Sequence, residues 1–300
     1  MSRAPCLAAA LAFAFLASPV ARAEDPRPPA PKPIPPIASN AEAKAALTKF
    51  HDTFKGKDVE AKADAIDALG RVNHPDVVAE LAKLLRQRNL ELRAAACQNL
   101  GGQRALPSLA GAAFLATVDA KSTDWAYLTD VIDGLKDLNC RASLPTLVKL
   151  LHHENQSVVR WSLDALGDMK DVRALDAVLD LMKELKVDEG AKWEGGEVRV
   201  DTGASGDADQ KAAEAAYAAK YGNQAGKGRS AGRKMRALGE VLYLVVKDLT
   251  GQSFLSGKAA REWVAAHGAE LDAKKKALDE EQKKQEEDGK AALAAARSGK

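Results

Sequence analysis

The stretch "SLDALGDMKDVRALDAVLDLM", residues 162–182, has a close counterpart earlier in the chain, "AIDALGRVNHPDVVAELAKLL" at residues 65–85. Two further stretches carry a leucine at the same place in a similar apolar pattern. The spacings between the four successive leucines are 31, 35 and 31 residues, and these leucines are Leu69, Leu100, Leu135 and Leu166. Self-similarity at such a period is typical of stacked supersecondary units. We therefore expect a repeat architecture.

Each repeat is predicted to form two helices. In the fourth unit, Val159, Leu163 and Leu166 recur at helical spacing, and the apolar residues of the second half do the same. Prolines stand at or near the start of three second helices, where a missing N–H is tolerated: Pro75, Pro107 and Pro145. Glycines follow three first helices and predict left-handed C-caps: Gly70, Gly101 and Gly167. No run shows sustained two-residue alternation, so the predicted fold is an all-α solenoid of helix pairs.

The repeated pattern resembles a known family. Residues 164–182 match D-A-L-G-x-x-x-D-x-R-A-L-x-x-L-x-x-L well, and the chain thereby resembles HEAT repeats of the short bacterial kind related to bilin-lyase (PBS-lyase) repeats. The second unit departs from the pattern by its alanine and glycine content, and the third has Lys136 in place of the glycine. The resemblance spans about residues 42–187. It implies a fold and leaves the chemistry open, so a lyase-like activity remains an alternative to a binding role.

The first segment of the folded part predicts a cap for the stack. Residues 40–56, "NAEAKAALTKFHDTFKG", form one apolar stripe at helical spacing, with Asn40 as the expected N-cap. The stripe consists of Ala46, Leu47, Phe50 and Phe54. With this helix and about four helix pairs, the repeat domain is expected over residues 40–187.

The N-terminus has the features of a secretory signal. Arg3 precedes an apolar run of about 14 residues, and Ala21-Arg22-Ala23 offers a small-x-small cleavage site. We expect residues 1–23 to be removed before Glu24, which predicts an exported protein, periplasmic or extracellular. Residues 24–39 follow with seven of the chain's twelve prolines, a composition that predicts an extended linker.

Charge and cysteine content narrow the possible functions. Removal of residues 1–23 leaves 42 basic and 42 acidic residues. This neutrality argues against a nucleic-acid partner, since phosphate neutralisation requires a basic excess. The mature chain is also expected to have no transmembrane segment. Cys97 and Cys140 remain, and either they pair in an oxidising compartment or they are small buried residues, as the apolar repeat position of Cys97 favours.

Residues 188–230 interrupt the repeats. Gly195-Gly196, followed by alternating Val198 and Val200, predicts a small β-hairpin or an irregular insertion. A short helix is expected over residues 207–222, where alanine predominates.

Repeat-like helices return over residues 231–272. The segment there resembles one found in secreted HEAT-repeat proteins of some bacterial lineages, in which an L-T-G-Q-x-F turn precedes a tryptophan-bearing helix. The matching residues are Leu249, Thr250, Gly251, Gln252, Phe254 and Trp263. The charge-dense tail 273–300 shows no sustained apolar heptad and predicts a long solvated helix, fraying toward its end.

Catalytic motifs are sparse. "HHEN" at residues 152–155 holds a single His-Glu pair, whereas a two-metal centre needs such pairs in several repeats. The triplet Asp201-Thr202-Gly203 matches the aspartic-protease motif, but nothing else in the sequence predicts the double β-barrel of those enzymes. We therefore predict no catalytic residue, no metal and no cofactor.

Two surfaces remain as candidates for binding. One row of helices in a solenoid lines the inner surface, which is commonly the binding face. We expect the second helices to form it here, with their polar residues aligned as a mixed-charge stripe for a protein partner. These residues are Lys83, Arg86, Arg88, Lys149, His152, His153 and Lys183. The alternative is a solvated face that only keeps the repeats soluble. The basic segment 227–236 is a weaker candidate for an anionic envelope polymer or lipid headgroups, through Lys227, Arg229, Arg233, Lys234 and Arg236.

Overall fold

The computed structural model describes residues 34–185, Val187 and residues 230–298. Within these residues all regular secondary structure is helical, with no strand. The predicted signal sequence, most of the proline-rich linker, and the hairpin and short helix expected within 188–230 lie outside the described residues. None of the described helices is both long enough and apolar enough to span a bilayer.

The helices follow one another in pairs after an initial cap helix. They are α1 (Asn40–Phe54), α2 (Val59–Gly70), α3 (Pro75–Leu84), α4 (Leu90–Gly101), α5 (Pro107–Leu115), α6 (Trp125–Asp137), α7 (Leu144–Leu150), α8 (Gln156–Asp168), α9 (Leu175–Glu184), α10 (Ser230–Thr250), α11 (Gly257–Ala266) and α12 (Gly268–Ser298). Short 3-10 turns precede α7 and α9.

The helices form two layers. The first helices of the pairs, α2, α4, α6, α8 and α10, pack side by side, and α1 covers the free face of α2. The second helices and the 3-10 turns before α7 and α9 form the other layer, in which α3 packs on α5 and α9 packs on α11. This arrangement confirms the predicted all-α solenoid.

The repeat leucines lie where the two layers meet. Leu69, Leu100, Leu135 and Leu166 are all fully buried, in two clusters of apolar side chains that divide the stack between them. Full burial of a leucine side chain stabilises the fold by roughly 1.5–3 kcal/mol. The register of the repeats, read from the leucine spacing, is therefore confirmed.

Side-chain caps begin most of the first helices. Asp58, Asn89, Asp124 and Asn155 each accept a hydrogen bond from a backbone N–H of the turn that follows. Pro75 and Pro107 are the first residues of their helices, and Pro145 is the second residue of α7. The proline positions were thus predicted correctly.

The N-cap of α1 differs from the prediction. Ser39, not Asn40, caps the helix, and its hydroxyl accepts from the Glu42 N–H while the Glu42 carboxylate accepts from the Ser39 N–H at 2.8 Å. The Asn40 side chain is instead used in a tertiary contact: its Oδ1 accepts a hydrogen bond from His74 Nε2 at 2.8 Å. The cap helix is thereby joined to the turn before α3.

The prediction of left-handed glycine caps was wrong. Gly70, Gly101 and Gly167 lie within their helices, and the caps that follow have right-handed backbone angles. Two of these glycines allow close approach of neighbouring helices instead: a Cβ on Gly101 would lie 2.9 Å from the Cα of Gly134, and a Cβ on Gly70 would overlap the Asn99 side chain. Sequence patterns of this kind cannot distinguish a capping glycine from a packing glycine.

The L-T-G-Q-x-F segment forms a turn and an aromatic contact. Gly251 has φ of 76°, which favours glycine, and the Thr250 hydroxyl accepts a hydrogen bond from the Gln252 N–H at 3.1 Å. The rings of Phe254 and Trp263 meet edge to face with centroids 5.8 Å apart, and His267 stacks on Trp263 at 4.2 Å. These residues shape the connection from α10 to α11.

The C-terminal helix differs most from its prediction. It runs without a break from Gly268 to Ser298, so the expected boundary at residues 272/273 falls inside it. It also packs across the second-helix layer, against α3, α5 and the 3-10 turns before α7 and α9.

We call α12 the strap. It lies along the turn edge, defined as the connections within helix pairs at residues 71–74, 102–106, 138–143 and 169–174.

Candidate interaction surface

The predicted partner-binding residues gather on the edge opposite the strap. We call this the loop edge and define it as the connections between helix pairs, at residues 85–89, 116–124 and 151–155, with the last turn of each second helix. His153 is partly buried, and the other six are exposed: Lys83, Arg86, Arg88, Lys149, His152 and Lys183. The strap therefore leaves this surface open. Their role in binding remains a prediction.

His153 has a structural role in the loop edge. Its Nδ1 accepts a hydrogen bond from the Asn155 N–H at 3.0 Å, so Nε2 carries the proton and donates to the Ser122 carbonyl oxygen at 3.1 Å. The loop before α6 and the loop after α7 are thereby joined. Because both ring nitrogens are engaged, His153 is not a good metal ligand.

His152 faces the next repeat. Its Nδ1 lies 3.6 Å from Glu184 Oε2, and both side chains are more than half exposed. The pair lines a small cavity of about 190 Å³ together with His153, Gln156 and the apolar residues Leu151, Val159, Leu181, Leu185 and Leu238. Binding pockets for small molecules are larger, about 300–1,000 Å³. The cavity has the size of a receptacle for one side chain of a partner.

Two exposed apolar residues of the loop edge were missed from the sequence. Leu90 is 67% exposed and Trp125 is 52% exposed, and they are the first residues of α4 and α6, at equivalent places in successive pairs. Both lie outside the apolar stripes that pack the helices. A large apolar residue directly after an N-cap was the available signal.

Polar contacts connect these two residues into one surface. Arg93 of α4 pairs with Asp124, the N-cap of α6, at 2.8 Å, and its guanidinium lies 4.6 Å from the centre of the Tyr127 ring. The Ser122 carbonyl in the same loop accepts the His153 hydrogen bond. The loop edge thus runs without a break from Arg88 and Leu90 to the His152 cavity.

The repeated helix pairs were compared with known protein families. Residues 112–191, from within α5 to beyond α9, match the family model described as HEAT repeats. This part of the chain is similar to HEAT repeats. No curated protein matches it.

The first-helix face of the stack has a second depression. It has a volume of about 340 Å³ and lies between α8 and α10, where Trp161, Asp164 and Asp248 line it. Burial is the main cause that raises the pKa of both carboxyl groups. Lys136 lies 2.7 Å from Asp133, 3.8 Å from Asp168 and 5.6 Å from the Trp161 ring centre. Lys136 is thus engaged with these two carboxylates and the Trp161 ring.

The weaker basic candidate lies at the margin of the described residues. Lys227 and Arg229 are outside them, and Arg233, Lys234 and Arg236 belong to the first turns of α10, where only the backbone is described. An anionic ligand at this segment therefore remains a prediction.

Residues for metal chemistry do not come together in the part of the chain that is described. Over residues 34–185 and 230–298, no group of three or more His, Cys, Asp or Glu side chains is placed to hold a metal ion. Cys97 and Cys140 are buried free thiols, and burial raises the pKa of Cys97 to about 12. A thiol with that pKa is neutral at ordinary pH and is a poor nucleophile.

Proposed function

We propose that this HEAT-repeat chain is an exported, non-catalytic scaffold that binds a protein partner through the loop edge. The proposal depends chiefly on one observation: Trp125 and Leu90, both more than half exposed, lie on a surface that also carries Arg86 and Arg88. Tryptophan and arginine are the residues that most often dominate binding energy at protein interfaces. Large apolar side chains left open to solvent are typical of such surfaces.

The geometry of the loop edge supports a protein partner over a small molecule. The cavity beside His152, at about 190 Å³, is the size of a single side chain. It lies at one end of the loop edge, and the exposed Leu90 lies towards the other. A partner that spans this distance would bury apolar anchors at the centre and meet charged side chains at the rim.

Alanine and charge-reversal variants test the loop edge directly. The mature chain is immobilised, exposed to the native envelope fraction, and the captured proteins are quantified by mass spectrometry. Trp125→Ala, and separately the double variant Arg86→Glu/Lys149→Glu, should lower the affinity for the captured partner at least tenfold, about 1.4 kcal/mol for each factor of ten.

Matched controls separate the loop edge from general surface charge. Lys49 on α1 and Lys284 on the strap are exposed and lie outside the loop edge, so Lys49→Glu/Lys284→Glu should capture the partner as the unchanged chain does. Each of these surface changes should alter stability by no more than about 0.5 kcal/mol. Equal capture by the loop-edge variants and the controls would refute this use of the surface.

Salt distinguishes the loop edge from the basic segment 227–236. Affinity that depends mainly on apolar anchors should fall only modestly between low and moderate salt, because ionic screening acts on exposed charges such as Arg86 and Lys149. Steep loss of the same complex with salt would favour the basic segment instead.

Export is tested at the N-terminus of the native protein. Cleavage after Ala21-Arg22-Ala23 should give a mature chain that begins at or near Glu24. N-terminal sequencing of the protein from its natural source reads this directly, and recovery of intact Met1 from the cytoplasmic fraction would contradict export.

A further inference from the structure

The strap contacts the HEAT repeats through one continuous face. Seven of its partly or fully buried residues recur at alternating steps of four and three: Leu271, Lys275, Leu278, Gln282, Gln285, Gly289 and Ala292. Residues between them are mostly exposed. This is the spacing of a helix that lies in a groove, yet three of the seven side chains are Lys or Gln, so the face has no apolar heptad.

An arginine of the fourth repeat fastens the middle of the strap. Arg173 is held on Asp171 by two hydrogen bonds, of 2.9 and 2.6 Å, and its Nη1 donates to Asp279 at 2.7 Å and to Gln282 at 2.9 Å. Asp171 is fully buried, which fixes the arginine. The groove therefore presents an oriented cation to a carboxylate on the helix that it binds.

The third repeat contributes a second set of polar contacts. Arg141 Nη2 lies 3.4 Å from Glu281 Oε2. The Gln285 side chain bridges the adjacent turn: its Nε2 donates to the Asn139 carbonyl at 3.4 Å and its Oε1 accepts from the Arg141 N–H at 3.5 Å. The groove thus binds a carboxylate and an amide spaced four residues apart on one helix.

A glycine allows the closest approach of the strap to the second repeat. The Ser108 hydroxyl donates to the Gln285 carbonyl oxygen, and a Cβ on Gly289 would lie 2.8 Å from that hydroxyl oxygen and 3.2 Å from the Ser108 Cβ. Ala292, one turn further, packs on the apolar cluster of the first repeats. A glycine inside a helix costs about 1 kcal/mol relative to alanine. The close contact with Ser108 gives a structural reason for the glycine at position 289.

The contacts of the strap are weaker than those between repeats. Asp279 is 57% exposed, Glu281 43% and Asp176, the partner of Lys275, 66%, so salt screens these ion pairs. Of the seven residues on the contact face, only Leu271 is fully buried. Local opening of an element needs less free energy when it has few buried apolar contacts. The strap should therefore separate while the repeats remain folded.

The turn edge also keeps buried polar atoms that the strap does not satisfy. Asn73 Oδ1, Gln103 Oε1 and Arg141 Nε are buried and have no partner among the described residues. They belong to the connections of three successive repeats. The turn edge thus combines a fixed arginine with a helix that is already seated on it, and this is the chemistry of a helix-binding site.

We propose that the turn edge is a helix-binding groove that the strap occupies in cis, and that its partner is a carboxylate-bearing helix of another protein. The partner helix places an acid on Arg173 and a second acid on Arg141, with one amide three residues beyond the first acid and another four residues beyond the second. It has a small residue where the strap has Gly289. The strap excludes this partner until it separates. The groove is distinct from the loop edge, and the two can bind independently.

The test uses the full chain and a fluorescein-labelled peptide of residues 268–298 as the probe. In the unchanged chain the tethered strap competes at high effective concentration, so the peptide binds weakly. Asp279→Lys/Gly289→Leu in the chain should weaken its own strap and increase peptide affinity at least tenfold. The matched control Glu280→Lys/Glu287→Lys changes exposed residues of the same helix and should leave peptide affinity unchanged.

Two further measurements keep the outcome decisive. A peptide with Asp279→Lys should not bind the weakened chain, and Arg173→Gln added to that chain should abolish binding of the unchanged peptide. Hydrogen exchange of the full chain should show that moderate salt accelerates exchange in residues 272–295 and leaves α8 protected. Equal peptide affinity in the weakened and unchanged chains, or simultaneous exchange of strap and α8 at every salt concentration, would overturn the proposal.

Discussion

Gly134→Ala offers the sharpest test of how α6 packs on α5, the second helix that precedes it. Gly134 lies in α6, and a Cβ at this position would be 2.5 Å from Cζ and 2.7 Å from Cε2 of Phe114. Ordinary carbon contacts are about 3.5–4.0 Å, so the ring must retreat by about 1 Å. Phe114 is fully buried in the apolar cluster of the first repeats, where interiors are close-packed. The methyl group therefore overpacks the core.

Two effects of opposite sign set the change in the free energy of unfolding of Gly134→Ala. Alanine gains about 1 kcal/mol over glycine inside a helix, whereas overpacking a core costs about 1–3 kcal/mol and sometimes more. A contact this short belongs at the upper end, so we expect a net loss of about 1–2 kcal/mol. Gly239→Ala in α10 is the matched control, because among the described residues its new Cβ would meet only Val187 Cγ1, at 3.7 Å. That variant should gain up to about 1 kcal/mol.

Urea unfolding followed by far-ultraviolet circular dichroism measures both changes. Phe114→Leu added to Gly134→Ala removes the ring atoms that the methyl group meets, so the double variant should be at least about 1 kcal/mol more stable than the sum of the single effects predicts. A stabilising Gly134→Ala would refute the reasoning, as would a double-variant cycle without coupling.

Two further predictions concern the core. Leu135→Ala and Leu166→Ala should each lower the free energy of unfolding by about 2–5 kcal/mol, and losses below about 0.5 kcal/mol in chemical denaturation would contradict the repeat register. Because burial raises the pKa of Cys97 from 9.0 to about 12, its thiol in the native chain should react with iodoacetamide about a thousandfold more slowly than in the unfolded chain. The thiol ionises at a lower pH in the unfolded chain than in the folded chain. The stability that the neutral buried thiol contributes should therefore be lost as the pH rises above 9.0 toward 12. Rapid labelling of the native chain would show that the thiol is not buried.

The helix pairs were predictable because their signals are local or periodic. Leucines at a fixed spacing must share one environment when identical units stack, so Leu69 and Leu166 were assigned to the core without knowledge of any contact. Prolines at helix starts act through their own backbone geometry. The polar ends of the second helices, including Arg86 and Lys149, were expected on the face that those helices form. Both residues are exposed, but they lie on the loop edge, and the strap packs across the second-helix layer.

The loop edge was only partly predictable. Charged residues at equivalent repeat positions indicated where to look, but Leu90 and Trp125 were missed, since an apolar residue next to a helix stripe is normally assigned to the core. Their exposure depends on where the neighbouring loop passes, which is a property of the assembled stack.

By itself the sequence determined the helix pairs, their register and the buried leucines, because burial of apolar area follows residue type and spacing. Only the tertiary structure decided the roles of Gly134 and of the strap. Gly134 is required because Phe114 of the preceding helix fills the space beside it. The strap is seated through Gln282, Gln285 and Asp279, whose side chains are equally well satisfied by water. Polar residues choose between solvent and a partner according to the donors and acceptors that the rest of the fold brings within reach, and here those groups lie more than a hundred residues away, in the turn edge.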